Sequence, residues 1–356
     1  MKKISMSIKI FAASIAYLGL AQIGFAQTAT IPTLLCPWGC GPTESDQMLM
    51  NMQIKDGKSV VVLPQETPGY MYNVREMANN RHWKKSIFAT EDVIIQLAIQ
   101  GGTPELKEFL PEAIPIQFKL LYGEAWWAQG KFFVTFDPKI KSPADFKGKR
   151  VALGLRGQSD WGVFPRLILE HAYGITPQNT DIRHLTPAAL TQQLLDGSVD
   201  VAVTGFGSEP SLKEFLILPP FRQLEAANRQ LYYVGVPKSA IDKVNAKFST
   251  TFIPTTLKPG TLPKQTAPLE MAFVRSYKAA HEEFPDQLAY ELVKSVAEYS
   301  PRLQSQHPLW KIMTKELMLH GLSEENIHPG AKRAFVELGW WKDVQKYPPV
   351  TYPKLK

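Results

Sequence analysis

The chain has 356 residues, with 40 Lys and Arg against 33 Asp and Glu and a formal net charge of +7. Its basic residues are interspersed and form no Lys/Arg block, which argues against nucleic-acid binding and for a mild field that favours anionic solutes. The two cysteines and the scattered histidines, none paired at i,i+4, supply too few ligands for a zinc site.

Lys2, Lys3 and Lys9 form a positive start, Ile10–Leu20 an apolar stretch, and Gly24-Phe25-Ala26 a small-x-small cleavage site before Gln27. That pattern reads as a secretory signal peptide over 1–26 and predicts a periplasmic protein. Leu35 stands where a lipidated Cys36 would need a small residue, and no later apolar run reaches the ~18 residues of a membrane span. Loss of the three leader lysines lowers the surplus from +7 to +4. The roughly 330 residues left suffice for two domains with proper cores.

Cys36-Pro37-Trp38-Gly39-Cys40 is expected to close a short-loop disulfide, since an exported pair this close holds Pro and Gly between its cysteines. A helix is expected through Met48, Met52 and Ile54, then a strand at Ser59–Pro64 and a turn, Gln65–Tyr70, that feeds a helix near Tyr72-Asn73. Ser86–Thr90 reads as a strand, and Val93–Ile99 as a helix with Glu91 and Asp92 in its first turn. Pro115–Tyr122 and Lys131–Phe136 read as strands, with Trp126 and Trp127 on the loop between them.

After a proline-bearing linker, the stretch from Lys147 to Gly174 reads as a basic turn, a strand (Val151–Leu155), a polar loop (Arg156–Asp160) and a helix (Val163–Ala172). Strand, small-residue loop and helix start together make an anion site from unpaired N–H groups and the helix dipole. Further strands are expected at Asp181–Leu185, Val199–Thr204, Phe221–Leu224 and Leu269–Arg275, and helices at Pro187–Asp196 and Glu209–Phe215. Ile253–Pro263 reads as a long surface hairpin or loop, Leu231–Pro237 as a return crossing, and the C-terminal part as mostly helical. Alternating β and α segments imply an α/β fold with parallel sheets.

Several phrases together resemble one family. Phe146–Gly154 is similar to a strand entry into a second lobe, Gly157-Gln158-Ser159 stands at a Gly-Ser loop, and Asp196–Ala202 matches a helix-Gly-strand phrase. His328–Ala331 with Glu337-Leu338-Gly339 is similar to a C-terminal helix signature. In this order and spacing, over roughly residues 59–340, they resemble the TAXI-type solute receptors of TRAP transporters. The resemblance implies a two-lobed periplasmic binding-protein fold of type II, each lobe a mainly parallel sheet flanked by helices, with the ligand cleft between them. It implies no catalysis, no cofactor, a monomer, a small organic anion such as a carboxylate as solute, and TRAP-type permease subunits as partner. Lobe 1 is expected at 27–136 and 237–356, lobe 2 at 137–236, with hinges near Thr135–Pro138 and Val234–Pro237. Departures lie in the ligand loops: Trp38–Glu44 and Pro68–Asn73 replace the family's glycine-rich runs, and Asp160 replaces a small or hydroxyl residue.

Ligands of open α/β sheets bind at the carboxyl ends of strands. Thr67, Gly69, Tyr70 and Asn73 in lobe 1, and Arg156, Gln158, Ser159 and Asp160 in lobe 2, are therefore the candidate contacts. Ser159 and Asp160 are also expected to cap the following helix, and Arg156 suits a carboxylate held in two hydrogen bonds. Trp38, Trp126, Trp127, Trp161 and Tyr70 suggest a bulky or aromatic solute. Gly205, Phe206 and Glu209 close the same face, and Glu44 or Glu209 would suit an amino group on the ligand. Two alternatives stand beside the receptor: a ligand sensor for a membrane signalling partner, and a serine hydrolase using Ser159. Gly157–Gly162 is one residue off the G-x-S-x-G elbow and brings no evident base.

Overall fold

The computed structural model describes residues 28–79, 83–114 and 118–352. The expected signal peptide and Pro115–Gln117, the start of an expected strand, lie outside them. Strand β1 (Ala29–Leu34), helix α1 (Gly41–Lys55) and strand β2 (Val60–Gln65) form a parallel βαβ unit. Helix α2 (Tyr70–Asn79) leads to β3 (Ile87–Glu91), which pairs parallel with β1, then to α3 (Asp92–Ile99) and β4 (Phe118–Trp127). A second unit follows: β5 (Phe133–Thr135), β6 (Arg150–Gly154), α4 (Phe164–Tyr173), β7 (Asp181–Leu185), α5 (Pro187–Leu195) and β8 (Val201–Val203). Strands β9 (Phe206–Ser208) and β10 (Phe215–Ile217) make a hairpin, and α6 (Pro219–Ala226), β11 (Tyr232–Val234), α7 (Lys238–Phe248), β12 (Ile253–Leu257) and β13 (Leu269–His281) come next. Helices α8 (Asp286–Leu303), α9 (Pro308–Ile312), α10 (Lys315–Leu319) and α11 (Pro329–Glu337) complete the order.

The strands sort into two sheets, so the chain is α/β with two lobes. One sheet runs β10-β9-β4-β13-β3-β1-β2, with β12 beside β13, and the other runs β11-β5-β8-β6-β7. Pairing is parallel within β2-β1-β3 and β8-β6-β7, where helices connect the strands, and antiparallel elsewhere. Apolar side chains such as Ile31, Val62, Phe88, Leu120 and Phe273 fill the larger lobe, and Val151, Leu153, Leu167 and Val201 the smaller.

Three local expectations are corrected. The segment Glu209–Phe215 is no helix: Glu209 turns its carboxylate on the N–H groups of Ser211, Lys213 and Glu214 at 2.5, 2.6 and 3.2 Å and closes the β9–β10 hairpin. Phe221–Leu224 lies in helix α6 rather than a strand, because Pro219-Pro220 starts a helix and Phe221 and Leu224 bury one face of it. Of the hairpin or loop expected at 253–263, the start is strand β12, paired antiparallel with β13. The two tryptophans expected on a loop end strand β4, and β13 runs on to His281 because buried ion pairs absorb the polar residues in its second half.

Two chain crossings between the lobes run side by side as a ribbon, and the chain crosses again between β10 and β11 and between β11 and β12. Residues 128–132 leave β4 for β5 while 204–205 run from β8 to β9 beside them. Ala128 N–H donates to Phe206 O at 3.0 Å and Gly130 N–H to Thr204 O at 3.1 Å. At Gly130, φ is +69°, and a Cβ would lie 1.7 Å from the Asp160 carbonyl oxygen of the second lobe. Only glycine suits both the conformation and the approach. Gly130→Ala is expected to destabilise the fold by about 2 kcal/mol or more, from strain and overpacking. Urea titration checks it, and an unchanged midpoint would contradict the packing described here.

Candidate functional site

Strand β3 ends at Glu91 with its side chain fully buried. Register with β13 and β4 sets Glu91 beside Ser276, and Ser276 beside Ala125, on one face of the sheet. Tyr70, the first residue of α2, brings its phenol to the Ser276 hydroxyl. Thr67 and Asn73 support this corner from behind. The Thr67 hydroxyl donates to Leu35 O at 2.8 Å, and the Asn73 amide donates to the carbonyls of Leu34, Leu35 and Ala89 at 3.2, 2.7 and 3.0 Å. These two are braces for the backbone around Tyr70.

The second lobe meets this corner with the loop after β6. Gly162 and Val163 N–H both donate to Gln158 O at 3.0 Å, a wide π turn over Ser159–Val163. Ser159 and Asp160 were expected to cap the helix. Gln158 takes the cap position instead, with no side-chain cap, and its Oε1 accepts from Leu155 N–H at 3.1 Å. The wider turn frees Ser159 and Asp160 to point inward, where both are buried. Asp160 forms an ion pair with Lys131, whose side chain is completely buried in the ribbon and lies 4.8 Å from the Phe164 ring centre.

Glu91 faces the Asp160 carboxylate and the Ser159 hydroxyl across the seam between the lobes. Among the described residues the Ser159 hydroxyl is the donor that faces the Glu91 oxygens, and it makes no well-aligned hydrogen bond to either. Burial, and then the Asp160 charge, push the Glu91 carboxyl well above the usual carboxylate range. Burial and the nearby Glu124 and Glu91 carboxylates raise the Tyr70 phenol likewise. Behind Ser276, Lys278 bridges Glu124 and Asp46, and burial pushes Asp46 up to about 6. Four carboxylates and two ammonium groups therefore share one dry region, and each lysine is already engaged by acids.

At the rim the lobes touch. Gly69 has φ +136°, and a Cβ there would lie 3.4 Å from Gly157 O of the opposite loop. Arg156 reaches Glu108 at 3.0 Å, with both side chains exposed. Trp161 packs its Cβ over Gly154. The structure thus gathers Gly69, Tyr70, Gln158, Ser159 and Asp160 at one seam, with Arg156 outside it.

Other candidates stand elsewhere. Trp126 is paired with Arg275, on the opposite face of β4 from Ala125, and its ring meets Phe273 and His320. Trp38 is exposed, its N–H donating to Glu66 at 3.0 Å, and Glu44 faces His307 at 3.5 Å. Gly205 lies against the Gln129 side chain, and Phe206 packs with Phe132, Phe215 and Phe273. Glu209 serves its hairpin. Cys36 and Cys40 are joined in a disulfide. Among the described residues no histidine is hydrogen-bonded to Ser159, no group of three His, Cys, Asp or Glu could hold a metal ion, and no helix is long and apolar enough to cross a membrane.

Sequence reasoning missed Glu91, Lys131, Glu124, Ser276 and Lys278. A signal was present: each is a polar residue inside or at the end of an otherwise apolar strand run, where burial demands a partner.

Residues 122–339 match the model of the NMT1-like family. Among solved structures the chain is similar to the periplasmic binding protein BugD, at 14% identity and TM-score 0.47, covering 89% of this chain and 97% of that one. It is also similar to MatC from Rhodopseudomonas palustris with bound malate, at 14% identity and TM-score 0.46, covering 88% and 98%. A third is the aliphatic sulphonate binding protein SsuA from Escherichia coli, at 14% and TM-score 0.42, covering 92% and 94%.

Lys131→Met leaves Asp160 buried without its cation and is expected to cost about 3–5 kcal/mol. Asn73→Ala strips the donor from three carbonyls and is expected to cost about 1–3 kcal/mol. Arg156→Ala removes only an exposed pair and should leave the denaturation midpoint almost where it is. Equal effects from Lys131→Met and Arg156→Ala in chemical denaturation would contradict this ranking.

Proposed function

This chain belongs to the NMT1-like family, and on that premise we propose that it is an exported solute receptor that shuts two lobes over a small organic molecule. The observation that carries the reading is the seam itself. Tyr70 and Glu91 from one lobe and Ser159 and Asp160 from the other meet in a buried polar spot, and neither Glu91 oxygen makes a well-aligned hydrogen bond among the described residues. Buried polar groups demand partners, and a solute held between the lobes supplies them. Tyr70, Glu91, Ser159 and Asp160 are the proposed solute contacts, and the ribbon through Gly130 and Thr204 is the proposed hinge.

The solute is proposed to be a carboxylate, in keeping with the positive surplus of the chain and the TAXI resemblance. The receptor works in the periplasm and passes its solute to TRAP-type permease subunits. No catalytic step is assigned, since among the described residues no histidine is hydrogen-bonded to Ser159.

The test is a thermal-shift panel on the mature protein after denaturing and refolding to strip co-purified ligand. It holds glutamate, 2-oxoglutarate, malate, adipate, benzoate and, for contrast, putrescine. A bound member at about 100 times its Kd adds roughly 2.7 kcal/mol, worth a few degrees in Tm. One carboxylate class is expected to raise Tm, and silence across the panel would overturn the receptor reading for this chemistry. Cross-linking in membranes carrying TRAP-type subunits tests the partner separately.

A further inference from the structure

The acids at the seam pose a problem for a carboxylate solute. Glu91 from the first lobe faces Asp160 from the second, with no free cation between them among the described residues, because Lys131 is bound to Asp160. The elements packed on β3 bring no relief. On β13, Arg275 is held by Asp92 of α3 at 2.9 Å, and Lys278 is held by Glu124 and Asp46. Helix α2 contributes Tyr70, and β1 carries no titratable side chain. At Glu91, burial and the Asp160 carboxylate outweigh the Ser159 hydroxyl and the Lys131 charge, and one shared proton relieves the repulsion. Glu91 is the one that keeps it, because Asp160 already has an ammonium partner.

We propose that Glu91 stands in the closed cleft as a neutral carboxylic acid that shares one proton with Asp160, so that an acidic solute is captured together with a proton. The inference rests on the carboxylate reading above. The proton comes from solvent as the lobes shut, and no covalent bond is made or broken. The raised position of the Glu91 carboxyl agrees in sign. An acid that binds its proton more tightly shut than open favours the shut form below the ordinary carboxylate pKa, and that preference is lost as pH rises through the raised value.

Infrared difference spectroscopy of the whole mature protein tests the proton directly. At about pH 7, where free carboxyls are ionised, a protonated-carboxyl band is expected in the wild type and is expected to be missing in Glu91→Gln. Absence of the band, or its persistence in Glu91→Gln, would overturn the proposal. Calorimetry with glutarate and benzoate as probes tests the linkage. Wild-type affinity is expected to fall about tenfold per pH unit above the Glu91 pKa, while Glu91→Gln, a neutral donor of the same shape, binds with little pH dependence. Affinity that is flat with pH in the wild type would overturn it. So would binding of putrescine that is lost in Glu91→Gln, which would make Glu91 an ionised acid reading a cationic solute. Silence of every probe counts against the receptor reading, while the infrared band still decides the state of Glu91 by itself. Should Glu91→Gln fail to fold, the pH at which the wild-type band disappears decides the matter, since an ordinary carboxyl would already have lost it.

Discussion

A lysine ammonium with no exposure at all, bound to an aspartate in the same dry layer, is the constraint on which this structure turns. Taking both charges out of water costs several kcal/mol, and the pair recovers that only when its geometry is fixed. Lys131 sits in the ribbon between the sheets and Asp160 in the loop that leads the second lobe's first helix. Fixing one to the other sets the angle at which that loop enters the seam. The π turn, the glycine at 130 and the inward-facing Ser159 all follow from delivering Asp160 to that spot. An ordinary α turn with a side-chain cap would have spent Ser159 on backbone N–H groups.

The same arithmetic explains why the opposing wall is built as it is. Glu91 ends its strand in a buried position facing an aspartate, and Tyr70, Ser276, Glu124, Lys278 and Asp46 extend the polar layer into the first lobe. Polar networks in a low-dielectric interior are strong when complete and costly when a member is left over. Among the leftover atoms of the described residues are the two oxygens of Glu91, placed where the lobes come together. The braces at Thr67 and Asn73 hold that corner by satisfying backbone carbonyls, so their polarity belongs to the scaffold. Exposed contacts at the rim, such as Arg156 with Glu108, are screened by water and have little weight in holding the lobes.

Much of this architecture was legible in the residues. The β-branched run Val60–Val62, the strand-loop-helix at Arg150–Tyr173 and the Gly174 stop all appear where pattern and breakers put them. At Gly174 the helix ends in a left-handed cap with φ +64°. His328 caps α11 as a histidine before a proline should, accepting from Gly330 N–H at 3.2 Å. What local pattern could not reveal were the tertiary decisions. Glu209–Phe215 has helical composition, yet pairing with β4 and the Glu209 carboxylate hold it as a hairpin. Of the candidate site, Gly69, Tyr70, Ser159 and Asp160 were visible as loop residues at strand ends. Lys131 and Glu91 were not, because nothing local says that a lysine in a strand entry and a glutamate at a strand exit will face the same aspartate from two sides. The tryptophans misdirect for the same reason: period two fixes which face a strand residue takes, and Trp126 took the far one.

The most direct measurement is the separation of the two rims by double electron–electron resonance. Spin labels would replace the exposed Lys107 and Leu155, with the Cys36–Cys40 bridge left oxidised. If the buried pair holds the lobes shut, the wild-type background gives one short, narrow distance distribution. In Lys131→Met, Asp160 is left buried with no cation, and the distribution moves to longer distances and broadens. A distribution that stays short and narrow in Lys131→Met, in protein that is still folded, would contradict the claim that this ion pair governs the closure.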